Sequence, residues 1–212
     1  VKALSVSQAA NILRLRGEAM QEAVPAGEGA MAAVLGLTME QVEDVAGKAS
    51  EGQVCEVAND NAPGQIVISG DAAAIERAIP LAKEAGAKRI LALPVSAPFH
   101  CSLMQPAADK MAAALAETDF RPLGGAIVAN VLAEAYSDVN ATRDLLVRQV
   151  TGRVRWTESI AYMAAQGVTH VVELGAGKVL SGLNRRIDSS LTSANMENDT
   201  QLQSILDLIG QG

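Results

Sequence analysis

Val54-Cys55-Glu56-Val57-Ala58-Asn59-Asp60-Asn61-Ala62-Pro63-Gly64-Gln65-Ile66-Val67-Ile68-Ser69 sets two strand-like runs back to back with no helix between them. Residues 54–58 and 65–69 are apolar and β-prone. The six residues between them, Asn59 to Gly64, are types that tolerate or preset turn geometry. Working outward, residues 30–37 read as a strand. Thr38 with Gln41 three places on is a capping box that opens a helix to about residue 49. On the far side, residues 72–85 read as a helix that Gly86 can end, and residues 89–95 as a last strand. The order is β-α-β-β-α-β.

That order belongs to a ferredoxin-like unit, placed here at residues 27–96. Around it the pattern differs. Ser5 or Ser7 can cap an N-terminal helix whose Ala9, Ile12 and Leu15 form a stripe. After the unit, Leu103, Ala107, Met111, Ala114 and Leu115 share a helix face, and residues 126–131 read as a buried strand. Residues 142–150 and 156–166 read as helices, 168–174 as a strand and 177–187 as a helix. Residues 189–200 are polar and expected to be loose, ahead of a short helix at 202–209. Alternating helix and strand implies a parallel sheet with helices on its faces. The fold class is therefore α/β: residues 1–26 and 97–212 form a larger subdomain, and residues 27–96 are inserted into it.

Composition narrows the function. The 212 residues are 49% hydrophobic yet 2% aromatic, so the core must be built from Ala, Val, Leu, Ile and Met. A net charge of −7 and pI near 4.9, with no Lys/Arg run, argue against nucleic acid as a partner. Cys55 and Cys101 are too few for a disulfide framework and lack metal spacing, so no metal is expected and a cytoplasmic setting fits. No apolar stretch reaches the roughly 18 to 20 residues of a membrane span. Val1-Lys2-Ala3-Leu4 runs straight into a helix without an initiator Met, and the chain reads as a fragment that lacks an N-terminal part.

Four places could carry chemistry. His100, one of two histidines, stands on the Pro-punctuated loop Pro94-Val95-Ser96-Ala97-Pro98-Phe99-His100-Cys101-Ser102-Leu103-Met104. Rigidly held loops are where reactive side chains concentrate, and imidazole titrates near neutral pH, so His100 is the first candidate for a general base. A hydrogen-bonded loop histidine is the equal alternative. Cys101 beside it is not a nucleophile paired with His100, because adjacent residues point apart. Arg16 offers a fork that matches a carboxylate, although by itself it reads as a solvated helix charge. Gln149 on an apolar helix end could orient an imidazole or simply face water. Glu173-Leu174-Gly175-Ala176-Gly177-Lys178 lacks the spacing of a phosphate loop and reads as a tight strand-to-helix turn, and His170 reads as structural.

Taken in order, these blocks resemble the malonyl-CoA:acyl carrier protein transacylases of bacterial type II fatty acid synthesis. The resemblance rests on Arg14-Leu15-Arg16-Gly17-Glu18-Ala19-Met20-Gln21, Asn59-Asp60-Asn61-Ala62-Pro63-Gly64-Gln65, the His100 loop, Leu146-Val147-Arg148-Gln149, and Glu173 through Leu183. It covers nearly the whole chain.

The resemblance implies an incomplete α/β-hydrolase-like subdomain around the ferredoxin-like one. It implies ping-pong transfer of a malonyl group from malonyl-CoA to the phosphopantetheine thiol of acyl carrier protein, without a cofactor of the enzyme's own. His100 would activate a serine in a G-H-S-x-G-E elbow. No such motif occurs in these residues, so no nucleophile is assigned here, and the elbow is expected shortly before Val1. Gln149 would hold His100 in orientation, and Arg16 would pair with the malonyl carboxylate. Asn59 and Asn61 would stand at the mouth of the thioester channel, and Phe99 would favour malonyl over branched acyl groups. An acidic carrier would need a basic surface, to which Lys83, Lys88, Arg89, Arg185 and Arg186 could contribute. A monomer is expected. The alternatives are an acyltransferase of the same fold with another acyl group, as in polyketide synthesis, and a non-catalytic carrier-binding fragment.

Overall fold

A computed structural model of the chain describes residues 2–210. Val1, Gln211 and Gly212, the ends of the expected larger subdomain, lie outside the described residues. The chain enters through helix α1 (Val6–Glu22), closed at its start by a capping box in which the Ser5 hydroxyl accepts the Gln8 N–H at 3.2 Å and the Gln8 side chain accepts the Ser5 N–H at 3.0 Å. Ile12 and Leu15 turn inward with buried Ala19 and Met20, while Leu13 faces out.

The next six elements are strand β1 (Gly29–Leu35), helix α2 (Met39–Ser50), strands β2 (Cys55–Ala62) and β3 (Gln65–Asp71), helix α3 (Ala72–Glu84) and strand β4 (Arg89–Ala92). The strands pair antiparallel in the order β4-β1-β3-β2, the ferredoxin-like arrangement. Strand periodicity sorts the side chains. Ala32 and Val34 of β1, with Ile66 and Ile68 of β3, face α2 and α3, whereas Met31, Ala33 and Val67 face the opposite side. With Ala46, Ala49, Ala74, Ala78 and Ala82 at the helix contacts, the helices lie close on the sheet, and a dense core forms without aromatic rings.

Two local expectations are corrected here. Asn59 to Gly64 is not one turn: β2 continues through Ala62, and the reversal is confined to Pro63 and Gly64. Asn59 and Asp60 pair on one side with Val67 and Ile66, and on the other with Val154 and Arg155, so ladder bonds override their turn preference. The mismatch survives as bulges between Val57 and Asn59 and between Asp60 and Ala62. The last strand stops at Ala92 rather than residue 95, because Pro94 cannot donate to a ladder.

A 3-10 turn (Ser102–Met104) leads into helix α4 (Gln105–Ala116), which with α1 buries Met20, Met104, Ala107, Ala108, Met111 and Leu115 in a second core. Strands β5 (Ile127–Ala129) and β6 (Glu134–Tyr136) form a short antiparallel hairpin. Residues 126–131 are thus not a buried strand, since the chain reverses through bonds from the Leu132 and Ala133 N–H groups to the Ala129 carbonyl. Helix α5 (Val139–Thr151) follows, then strand β7 (Val154–Arg155), which joins the sheet parallel to β2.

Helix α6 (Trp156–Ala165), strand β8 (His170–Leu174), helix α7 (Val179–Ile187), strand β9 (Thr192–Met196) and helix α8 (Leu202–Ile209) complete the chain. Residues 189–200 are therefore not all loose: β9 pairs in parallel with β8 from His170↔Thr192 to Leu174↔Met196, an ordering by backbone bonds that polar side chains conceal. Of the parallel sheet expected in the larger unit, the described residues form this pair. The turn at Gly175-Ala176-Gly177 is tight, as read, with φ of 131° and 90° at its glycines. The Gly175 N–H donates to the Met196 carbonyl and the Gly177 N–H to the Glu197 carboxylate, while the Glu173 carboxylate accepts from the N–H groups of Leu180 and Ser181 in the first turn of α7. Among the described residues no helix is long and apolar enough to cross a membrane. Ile68 is fully buried between the sheet and its helices. Ile68→Ala is expected to lower unfolding stability by about 3 kcal/mol, read from the urea midpoint.

Candidate active site

The loop that leaves β4 packs through Ala97 and Pro98, both buried, and brings His100 against the C-terminal end of α5. The last carbonyls of a helix have no intrahelical donor and carry its negative end. One of them finds its donor in the imidazole: Nδ1 of His100 lies 3.1 Å from the Gln149 carbonyl oxygen and 3.1 Å from that of Gly152, just past the helix. Both partners can only accept, so Nδ1 carries the hydrogen. The neutral ring then keeps its lone pair on Nε2.

Burial of the ring pushes its pKa down, and the Arg16 guanidinium pushes it further, against the two carbonyls, which favour the cation. The net direction is down. At neutral pH the group is a neutral imidazole with a defined tautomer, able to take one proton at Nε2 while Nδ1–H stays bonded. His100 also holds a left-handed backbone, φ 58°, which for a non-glycine residue is strained.

Gln149 meets His100 through its backbone rather than its side chain. The side-chain Nε2 donates instead to the Gly152 carbonyl at 3.0 Å, so the amide braces the second acceptor of the imidazole. Gly152 is there for space: a Cβ would come within 2.7 Å of the Arg148 carbonyl oxygen and 2.9 Å of Val131. Sequence reading missed this residue. A glycine directly after a helical run was the available signal.

A cavity of about 400 Å³ opens between α1 and the sheet face that bears Met31, and Arg16, Asn59, Phe99 and His100 all line it. Arg16 comes from α1 and Asn59 from β2, so the site draws on both sides of the fold. Arg16 is half-buried, and desolvation alone holds its pKa below the ordinary value, with no carboxylate paired to it among the described residues. A partly desolvated guanidinium without a partner favours an anion. Phe99 packs between the second core and the far face of the sheet. Asn61 is half-buried at the bulge of β2 and does not line the cavity.

His100 also borders a second cavity, of about 460 Å³, with Glu43, Glu56, Thr151 and Arg153. Its cation is already neutralised, Arg153 lying 2.7 Å from Glu43, so the Arg16 side is the better anion site. Cys101 is fully buried, its Sγ 3.1 Å from the Pro98 carbonyl, and burial raises its pKa. A buried thiol held in its neutral form is no nucleophile, as the sequence reading held. His170 sits in β8 with Nδ1 2.8 Å from the Thr169 hydroxyl, away from both cavities. Among the described residues no cluster of three His, Cys, Asp or Glu side chains is placed to hold a metal ion.

No protein-family model matches the chain. Curated proteins do. The malonyl CoA-acyl carrier protein transacylase of Escherichia coli K12 is 46% identical over 205 residues, 97% of this chain, and that of Bacillus subtilis 168 is 46% identical over 190 residues, 89% of it. The chain spans 66% and 60% of those two proteins, slightly under two thirds of their length. Among solved structures, the acyl-carrier-protein S-malonyltransferase of Bartonella henselae superposes with a TM-score of 0.95 at 45% identity, covering 99% of this chain and 67% of that one. A malonyl-transacylase in complex with a type II PKS acyl-carrier protein superposes at 0.93 with 41% identity, covering 97% and 66%. Identity of this order along nearly the whole length, on the same fold, leaves one conclusion: the chain belongs to the malonyl-CoA:acyl carrier protein transacylase family.

Proposed function

We propose that this chain supplies the base and the carboxylate clamp for malonyl transfer from malonyl-CoA to the phosphopantetheine thiol of acyl carrier protein. The observation that carries the reading is the half-buried Arg16 guanidinium, without an ion-pair partner among the described residues, in the same cavity as an imidazole whose tautomer leaves Nε2 free to accept a proton. The nucleophilic serine comes from a G-H-S-x-G-E elbow outside these 212 residues. His100 takes its proton at Nε2, the oxygen attacks the malonyl thioester, and the CoA sulfur leaves with the proton from the imidazolium. The carrier thiol then gives its proton to His100 and attacks the serine ester, and the serine oxygen leaves with that proton from the imidazolium. Both thiols belong to the substrates, so the cycle runs without a cofactor of the enzyme's own.

The remaining roles follow from the same reading. Gln149 orients the imidazole through its carbonyl and braces Gly152 with its amide. Asn59, which lines the cavity, stands at the mouth of the thioester channel, with Asn61 two residues on and outside the cavity lining, and Phe99 favours malonyl over branched acyl groups. Residues 27–96 form the inserted subdomain, and residues 1–26 and 97–212 belong to the larger one. Substrates of this kind place the enzyme in the cytoplasm.

Arg16→Ala is expected to remove about 3 kcal/mol of preference for malonyl over acetyl, roughly a hundredfold in the ratio of kcat/KM values measured with the two CoA esters. An unchanged ratio refutes the clamp. A profile favouring another acyl group would place the chain with the polyketide-type enzymes, and absence of any acyl-enzyme in the full-length protein would make it a binding fragment. His100→Ala is expected to slow acylation by roughly 10²-fold or more, followed by mass spectrometry of the malonyl-enzyme. The lowered His100 pKa predicts an acid limb of kcat/KM below the ordinary histidine value of about 6.5. Because Arg16 is one cause of that lowering, Arg16→Gln should move the limb upward.

A further inference from the structure

Glu56 lies on β2 between Cys55 and Val57, both buried, so strand alternation turns its carboxylate out of the ferredoxin-like core and toward the His100 loop. There it makes two bonds to a single residue 46 positions away. Oε1 accepts the Ser102 hydroxyl at 2.6 Å and Oε2 accepts the Ser102 backbone N–H at 3.0 Å. Ser102 opens the 3-10 turn that feeds α4, where backbone N–H groups lack helical acceptors and a negative charge is favoured.

We propose that Glu56 is a positioning residue for His100, its grip on Ser102 holding the left-handed turn that keeps the imidazole on the Gln149 and Gly152 carbonyls. The turn is pinned on both sides. Before His100, Pro98 is buried and its carbonyl takes the Cys101 thiol; after it, Ser102 is fixed by Glu56. A non-glycine residue at φ 58° relaxes when one anchor is cut, and relaxation swings the ring. Fold stability is not what the carboxylate serves. The pair is exposed, where charged contacts add little to global stability. Glu56 and His100 border the same cavity, whose Glu43 and Arg153 charges are paired to each other.

This role rests on the malonyl-transfer reading, and the test separates the two. Glu56→Ala, Glu56→Gln and Ser102→Ala are compared in the full-length protein by steady-state malonyl transfer, thermal melting, and nitrogen NMR of the His100 ring assigned through His100→Asn. Glu56→Ala should cut kcat about tenfold with KM nearly constant, leave Tm within a few degrees, and weaken the Nδ1–H tautomer signature. Glu56→Gln keeps an acceptor for the Ser102 N–H and should restore most of the rate. Ser102→Ala, which loses one of the two bonds, should fall between. Wild-type kcat and ring spectrum in Glu56→Ala overturn the proposal, as does a slow variant whose ring spectrum is unchanged. If the parent protein transfers no malonyl while the ring signal still responds to Glu56→Ala, the positioning role stands and the malonyl reading falls.

Discussion

The geometry of this chain turns on one imidazole N–H shared between two carbonyl oxygens at the end of α5. Those acceptors stay in place because the helix stops at a glycine that tolerates close approach of the Arg148 carbonyl, and because the next residues are sewn into the sheet. Strand β7 pairs Val154 with Asn59 and Arg155 with Asp60. The Thr157 hydroxyl then donates to the Asp60 carboxylate at 2.8 Å. The acceptors of His100 and the cavity-lining Asn59 are therefore parts of one hydrogen-bonded ribbon. Among the described residues, the Nδ1 partners are these two carbonyls and no carboxylate. Neutral carbonyls at the negative end of a helix do the orienting while letting burial keep the ring uncharged.

The core that carries this ribbon is made of small side chains. Alanine at the contacts of α2 and α3 lets helix and sheet approach closely, and methionine fills the irregular space between α1 and α4. Arg143 shows how polar groups close such a core. It donates to the Leu115 and Thr118 carbonyls at the end of α4 and stacks over Phe120, with its Cζ 5.4 Å from the ring centre. Glu173 does the equivalent at the start of α7, through two backbone amides and the Ser181 hydroxyl.

Much of the ferredoxin-like unit could be read from its residues because its signals are local. The capping box at Thr38 and Gln41 formed as read, and residues 30–35 and 65–69 lie in strands as read. What misled were positions where a distant segment supplies the ordering. Asn59 to Ala62 have turn-forming side chains yet sit in a central strand, because β7 arrives from about ninety residues away. Residues 192–196, Thr-Ser-Ala-Asn-Met, carry no β-branched or aromatic run beyond Thr192 and reveal nothing until β8 pairs with them. The same limit applies to the site. Arg16 looks like any helix charge until the fold half-buries it in a cavity without a partner. For Gln149 the side chain caught the eye, whereas the backbone oxygen touches the ring. No residue type encodes a carbonyl. Glu56 escaped notice for a related reason, since its partner lies 46 residues onward across a subdomain boundary.

The parallel pairing of β7 with β2 has a mechanical consequence. Together with the Thr157–Asp60 bond and the contacts from Arg186 to Gln65 and Pro63, it rivets the segment after α5 to the small sheet at several points. Walls fastened in this way have little room to pivot. A cavity wall tied down at both ends keeps its outline by covalent and hydrogen-bonded continuity, so the position of Asn59 is inherited from the register of β7.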